Sequence, residues 1–321
     1  MQNLNTSLKG WRGVIVFIFP YFLITGIFQI IGFSIAGIDI IDLIREKDYQ
    51  ESSSQILIIV MSNLIGTLVV IWFFVRIVYK ESFKNLGFSI KDRLPDFRAG
   101  LLLGFFIIGT GFYLLYATDE IQISNFEFNS YDLINLFLIC FFISFTEETL
   151  CRGFVLGNFM ISFNNYTALI LTSILFSLLH SLNPNIDIIS FLNIFLAGLV
   201  LGYSYIFTNN LWFALSLHFS WNFFQSLFGF KVSGLELYSL VTLSTSENNF
   251  LNGGDFGFEG SILCLVFLSL TLIGLFFYHR KTNNPNGAIE SLRVPDGSPS
   301  KEYYVEKEIS ESSRVHHTLK S

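Results

Sequence analysis

Charge is what this sequence has least of. Asp, Glu, Lys and Arg make up 14% of its 321 residues, against roughly 25% in an average soluble domain. Hydrophobic residues make up 52%, and the mean hydropathy is +0.56. A soluble globular domain is thereby excluded and a polytopic membrane protein is expected, with the lipid bilayer as a partner and no nucleic acid. The formal net charge of −6 says little, because topology follows where Lys and Arg sit and not their sum. Cysteine is scarce as well. Cys140, Cys151 and Cys264 lie in apolar stretches without metal or disulfide spacing and read as small buried hydrophobes. A cleavable signal is also missing. The apolar run Val14–Ile38 exceeds an h-region and no cleavage site follows it, so a first transmembrane helix that stays is expected.

What the sequence has in abundance is long apolar runs. About 20 residues are needed to span a bilayer, and by that criterion helices fall near 14–37, 56–79, 98–118, 132–158, 166–182, 187–207, 211–230 and 261–279. The expectation is an all-α fold with about eight transmembrane helices. Short turns at Asn183-Pro184-Asn185 and Asn209-Asn210 make the fifth to seventh helices a compact antiparallel unit. The chain then divides into helices one to three (1–130), a core of helices four to seven (131–230), an outer loop with helix eight (231–281) and a polar tail (282–321). The tail holds Pro285, Gly287, Pro295, Gly297 and Pro299 and is expected to be disordered. Lys9, Arg12, Arg76, Lys80, Lys84, Lys91, Arg93, Arg98, Arg280 and Lys281 flank one set of helix ends, whereas the alternate loops carry only Arg45, Lys47 and Lys231 amid acids. The positive-inside bias puts both termini and the second loop in the cytoplasm.

Against so apolar a background, Glu147-Glu148-Thr149-Leu150-Cys151-Arg152 stands out. An ionisable group within a membrane segment is costly and is a functional hypothesis by default. Consecutive helix residues point about 100° apart, so the two carboxylates cannot face one target. Glu148 and Arg152 are four apart and can pair along one stripe, as structural support. Glu147 shares its stripe with Cys151, has no partner on its own helix and is the better working carboxylate. Two histidines follow in apolar surroundings, His180 and His218, the second with Asn222 four residues on. Either alone reads equally well as an interhelical hydrogen-bonding residue; with Glu147 they suggest hydrolytic chemistry inside a bilayer. Glu147 lies 16 residues before Phe163 and His180 lies 15 after Asn165. At 1.5 Å per residue both arms are about 23 Å, so the two sit at matching depth, whereas His218 is only about 10 Å into its helix. His279, His316 and His317 read as interfacial or tail residues.

Glu147-Glu148-x-x-x-Arg152, Phe176-x-x-x-His180 and His218-x-x-x-Asn222, in this order on successive apolar helices, resemble the three motifs of the CPBP family of intramembrane glutamic proteases. That family includes the type II CAAX prenyl endopeptidases and the bacterial Abi-like proteins. Residues 130–230 carry the resemblance; His180–Pro184, Ala197–Gly202 and Phe228–Gly234 also resemble bacterial members, which implies a bacterial plasma membrane. The resemblance further implies an eight-helix fold with a cavity open to the cytosol, and an endopeptidase acting on a membrane-associated peptide or protein, CAAX-type or bacteriocin-like. It implies that Glu147 and His180 activate a water, and that His218 and Asn222 can hold the oxyanion. No cofactor is then needed. A zinc-dependent version, with Glu147, His180 and His218 as ligands, remains an alternative, although no His-Glu-x-x-His helix favours it. A non-catalytic immunity or interaction protein is a second alternative. A transporter is a third, against which stands the lack of an internal repeat.

Overall fold

The computed structural model describes residues 8–39, 50–245 and 247–282. Its helices begin where side chains can take up free backbone N–H groups. Ser52 and Gln55 form a reciprocal capping box for α2 (Ser53–Trp72). The Asn129 side chain accepts from Tyr131 and Asp132 to start α4 (Ser130–Glu148). Asn164 caps α6 (Asn165–Leu179), and Asp187 caps α7 (Ile188–Thr208). The remaining helices are α1 (Trp11–Ile35), α3 (Leu94–Ala117), α5 (Gly157–Ser162), α8 (Trp212–Leu227) and α9 (Ile262–Thr282). A π-helical stretch, Thr149–Leu156, joins α4 to α5, so Ser130–Ser162 is one helical rod of 33 residues. The π-helical turn Phe73–Val78 extends α2.

Eight helical rods therefore stand where eight were expected, but six of them are long and apolar enough to cross a membrane among the described residues. The other two are α6, with 15 residues, and α8, with 16. At 1.5 Å per residue they reach only about 22–24 Å, short of a hydrocarbon core of about 30 Å. α8 can be short because it is wrapped in protein. In α8, 12 of 16 residues are buried, against five of 25 in α1. These two short helices present the histidines.

Close packing holds α8 in place. Gly100 and Gly104 of α3 face Ser216 and Ser220, and a Cβ on either glycine would come within 2.1 Å of Ser216 Oγ or 2.8 Å of the Ser220 side chain. Small residues four apart let the two backbones approach, and Ser220 Oγ donates to the Leu101 carbonyl at 2.6 Å. A large apolar cluster gathers around Phe154, Phe17 and Phe74, and a second around Phe258, Trp221 and Ile108.

The two ends of the bundle differ. At the first, Gly10 N–H donates to Asn158 Oδ1 at 3.2 Å, Trp11 N–H to Ser162 Oγ at 3.1 Å, and Asn210 Nδ2 to the Ser89 carbonyl at 2.8 Å; Lys9 pairs with Glu81. At the second, Ser53 Oγ donates to Asp132 at 2.5 Å and Asn183 Nδ2 to the Ser233 carbonyl at 3.0 Å. There the only sheet among the described residues pairs β1 (Gln122–Phe126) with β2 (Val241–Ser244), antiparallel, with a bulge between Ile123 and Asn125. All of this belongs to a unit ending at Leu275; the next unit starts at Phe276, and its described part is the end of α9. Except for Thr282, the tail expected to be disordered lies outside the described residues, as do Arg45, Lys47, His316 and His317.

Candidate active site

Glu148 is the last residue of α4 and Arg152 lies within the π-helical stretch, all eight residues of which are buried. Wide π turns within regular helices are frequent at functional sites, and this one begins immediately after the paired carboxylates. Arg152 Nη1 donates to Glu148 Oε1 at 2.6 Å, and neither side chain is more than 1% exposed. The same oxygen lies 2.8 Å from His218 Nδ1 on α8. Because a carboxylate accepts, the Nδ1 of His218 carries a hydrogen and its Nε2 points elsewhere.

It points at Glu147. His218 Nε2 is 3.9 Å from Glu147 Oε2, and His180 Nε2 is 3.7 Å from the same atom. His180 terminates α6, and its Nδ1 is 2.8 Å from the carbonyl oxygen of Phe176, one turn back. A carbonyl can only accept, so this ring also carries its hydrogen on Nδ1 and turns Nε2 toward Glu147. Both Nε2 distances exceed those of a hydrogen bond, and Glu147 Oε2 is buried with no hydrogen-bond partner. The three chain segments thus converge on one carboxylate oxygen without satisfying it.

Phe176 organises the surroundings. Its ring lies 4.4 Å from the Arg152 guanidinium, 4.6 Å from the His180 ring and 6.3 Å from the His218 ring. The first of these is a cation–π contact in a desolvated setting. Gly198 on α7 completes the group: its carbonyl accepts from Arg152 Nη2 at 3.5 Å, and a Cβ there would come 3.0 Å from Ser173. Asn222 is buried one turn beyond His218 and lines the same cavity; among the described residues its side chain has no hydrogen-bond partner.

That cavity has a volume of about 1510 Å³. Glu147, His180 and His218 line its depth, and Lys231–Tyr238 and Asn183–Asn185 line it toward the second end. Its wall there is tied down by Glu259, which accepts from Trp221 Nε1 at 3.1 Å and from the backbone N–H and hydroxyl of Ser233, each at 2.7 Å.

With this geometry in view, residues 129–224 match the family model described as type II CAAX prenyl endopeptidase Rce1-like. The segment is similar to an Rce1-like domain. It runs from the cap of α4 to α8 and takes in Glu147, Glu148, Arg152, His180, His218 and Asn222. No curated protein matches the chain. An Rce1-like domain in a chain of apolar helices supports an intramembrane CAAX-type endopeptidase, a membrane-embedded protease with a membrane-associated substrate.

All six residues expected from the sequence thus lie on the segments of the Rce1-like domain that meet at the cavity. Three contacts were not foreseen: the bond from His218 to Glu148, the packing of both imidazoles on Phe176, and the Glu259 tie. The first, and the packing of His218 on Phe176, join helices far apart in sequence; the third comes from a Gly-rich loop without a recognisable motif. As for metal, among the described residues no group of three or more His, Cys, Asp and Glu is arranged to hold an ion. Glu147, His180 and His218, the alternative zinc ligands, stand with the two imidazole Nε2 atoms 3.7 and 3.9 Å from the carboxylate oxygen, and no step is derived through a metal.

Proposed function

We propose that the protein hydrolyses a peptide bond of a membrane-associated substrate with a water activated by Glu147 and His180. The observation that carries this reading is the unsatisfied Glu147 Oε2, 3.7 and 3.9 Å from two imidazole Nε2 atoms. A single water at about 2.8 Å can touch Oε2 and either nitrogen. Glu147 takes the proton as the water attacks the scissile carbonyl, and the proton then passes to the leaving amine by way of Glu147 or His180. The oxyanion falls to His218 and Asn222.

The oxyanion role sets a condition on His218. With both imidazoles neutral, the water would face three acceptors while having two hydrogens. A hydrogen on His218 Nε2 removes the mismatch and makes that nitrogen a donor. Charge points the same way: Glu147 and Glu148 against Arg152 leave one negative charge in an apolar setting, and an imidazolium at His218 neutralises it. Glu148 then has a catalytic consequence as well as a structural one, since its charge holds His218 in the donor form. An oxyanion donor of this kind contributes about 3–4 kcal/mol.

The test is Glu147→Gln, which keeps size and one acceptor but removes the base. Reconstituted in liposomes and given a prenylated CAAX peptide alongside unprenylated hydrophobic peptides, the wild type should cleave at least one. The variant should lose about 10²–10⁴-fold of that rate at unchanged expression and insertion. Cleavage within tenfold of wild type would remove Glu147 from the mechanism.

A further inference from the structure

The segments that carry the two imidazoles meet at Glu147, and they are joined a second time by a hydrogen-bonded circuit in which Glu147 has no part. It starts at His180, whose carbonyl accepts from the Asn183 N–H at 3.0 Å. Asn183 Nδ2 donates to the Ser233 carbonyl at 3.0 Å. Ser233 gives both its N–H and its hydroxyl to Glu259 Oε2, each at 2.7 Å. Glu259 Oε1 accepts from Trp221 Nε1 at 3.1 Å, and Trp221 stands on α8 between His218 and Asn222. Glu259 is itself held. It sits in the short helical turn Phe258–Gly260 before α9, and Asn193 of α7, 1% exposed, donates to the carbonyls of Glu259 and Ser261, both at 2.8 Å.

Only a carboxylate suits this place. One oxygen accepts from an indole and the other from an amide and a hydroxyl, so a glutamine would turn its NH2 group toward one of those donors. Glu259 lines the cavity, but both of its oxygens are engaged, whereas Glu147 Oε2 has no partner. That suits Glu259 to holding and not to proton transfer. Ser233 and Glu259 also lie beyond residues 129–224, the segment that matches the family model, so this support reaches the site from outside it.

We propose that Glu259 is a positioning residue: through Ser233 and Asn183 on one side and Trp221 on the other, it sets the separation of His180 and His218 at Glu147. The role rests on the proteolytic reading of Glu147. The test compares Glu259→Gln, alone and with Trp221→Phe, in the full-length chain reconstituted in liposomes with a cleavable membrane-associated peptide. Glu259→Gln sets an amide NH2 against the indole N–H, which lowers the thermal midpoint and shifts the imidazoles. Misplacing a catalytic group by 1 Å can cost 10²-fold, so kcat and kcat/KM should fall together by about 10–10²-fold. Trp221→Phe removes the opposing donor, so the double variant, its amide oxygen turned to Ser233, should recover most of the midpoint and of kcat. Asn158→Ala, which loses hydrogen bonds at the first end, shows what instability alone does, and its kcat should hold. An unchanged kcat in Glu259→Gln, a loss no larger than in Asn158→Ala, or a double variant no better than Glu259→Gln overturns the proposal. A wild type that cleaves no peptide and is unaltered by Glu147→Gln sinks the protease reading instead. The clamp is then judged on the thermal midpoints, where a double variant without recovery overturns it.

Discussion

Removing either member of the Glu148–Arg152 pair should destabilise the fold, and removing both should cost much less than the sum. Both side chains are no more than 1% exposed and their closest atoms are 2.6 Å apart. With charge centres about 4 Å apart and an effective dielectric constant of about 20, the attraction is about 4 kcal/mol. Arg152→Met leaves Glu148 buried with only His218 bonded to it. Glu148→Gln leaves a buried guanidinium with the face of Phe176 and a long bond to Gly198. Each change should cost about 3–5 kcal/mol, because the surviving charge is uncompensated. In the double variant that penalty disappears, so the interaction energy from the cycle should be at least about 2 kcal/mol. Equilibrium unfolding in mixed detergent micelles measures all four corners. Additive costs, with an interaction energy near zero, would refute the pairing as the reason these charges are tolerated. The double variant also separates stability from chemistry. The amide that replaces the Glu148 carboxylate can still accept from His218 Nδ1 but carries no charge, so the double variant should fold and yet lose about 10²–10³ in turnover with the oxyanion donor.

Asn222→Ala should lower kcat by about 10²–10³ without altering the thermal midpoint much, since among the described residues its side chain has no hydrogen bond to lose; an unchanged kcat would exclude it from oxyanion binding. Activity should survive exhaustive chelation, checked by elemental analysis and by re-addition of metal, because an apolar chelator can occupy a membrane cavity by itself; stoichiometric zinc whose removal and return switch activity off and on would overturn the metal-free mechanism. Gly104→Leu should destabilise by about 1–3 kcal/mol or more through overpacking, because the first added carbon already comes 2.8 Å from Ser220. It should also reduce activity by displacing His218 and Asn222 on the same helix, and a stable, active Gly104→Leu protein would show that the α3–α8 contact does not position the site.

Composition and apolar run lengths were enough for the all-α membrane fold, because a bilayer admits few ways of satisfying the backbone and each long run declares itself locally. The residues of the site were legible for a related reason: a carboxylate or an imidazole in an apolar helix is too costly to be incidental. The four-residue spacing also made Glu148 and Arg152 neighbours on one helix, independently of the rest of the fold. What the sequence could not convey depends on contacts between helices. Helices α6 and α8 read as spans in isolation, but α8 is short because its neighbours, not lipid, cover it. The resemblance implies a role for His218 alongside Asn222, whereas its hydrogen bond runs to Glu148, 70 residues away, and that bond fixes which nitrogen faces Glu147. Equal helix-arm lengths placed Glu147 and His180 at one depth, but only packing brings both Nε2 atoms to a single oxygen. The direction in which the cavity opens is also a tertiary property. Charge along the chain marks the two ends of every helix, but a cavity exists only between helices, and its mouth depends on which loops leave the space above Glu147 open.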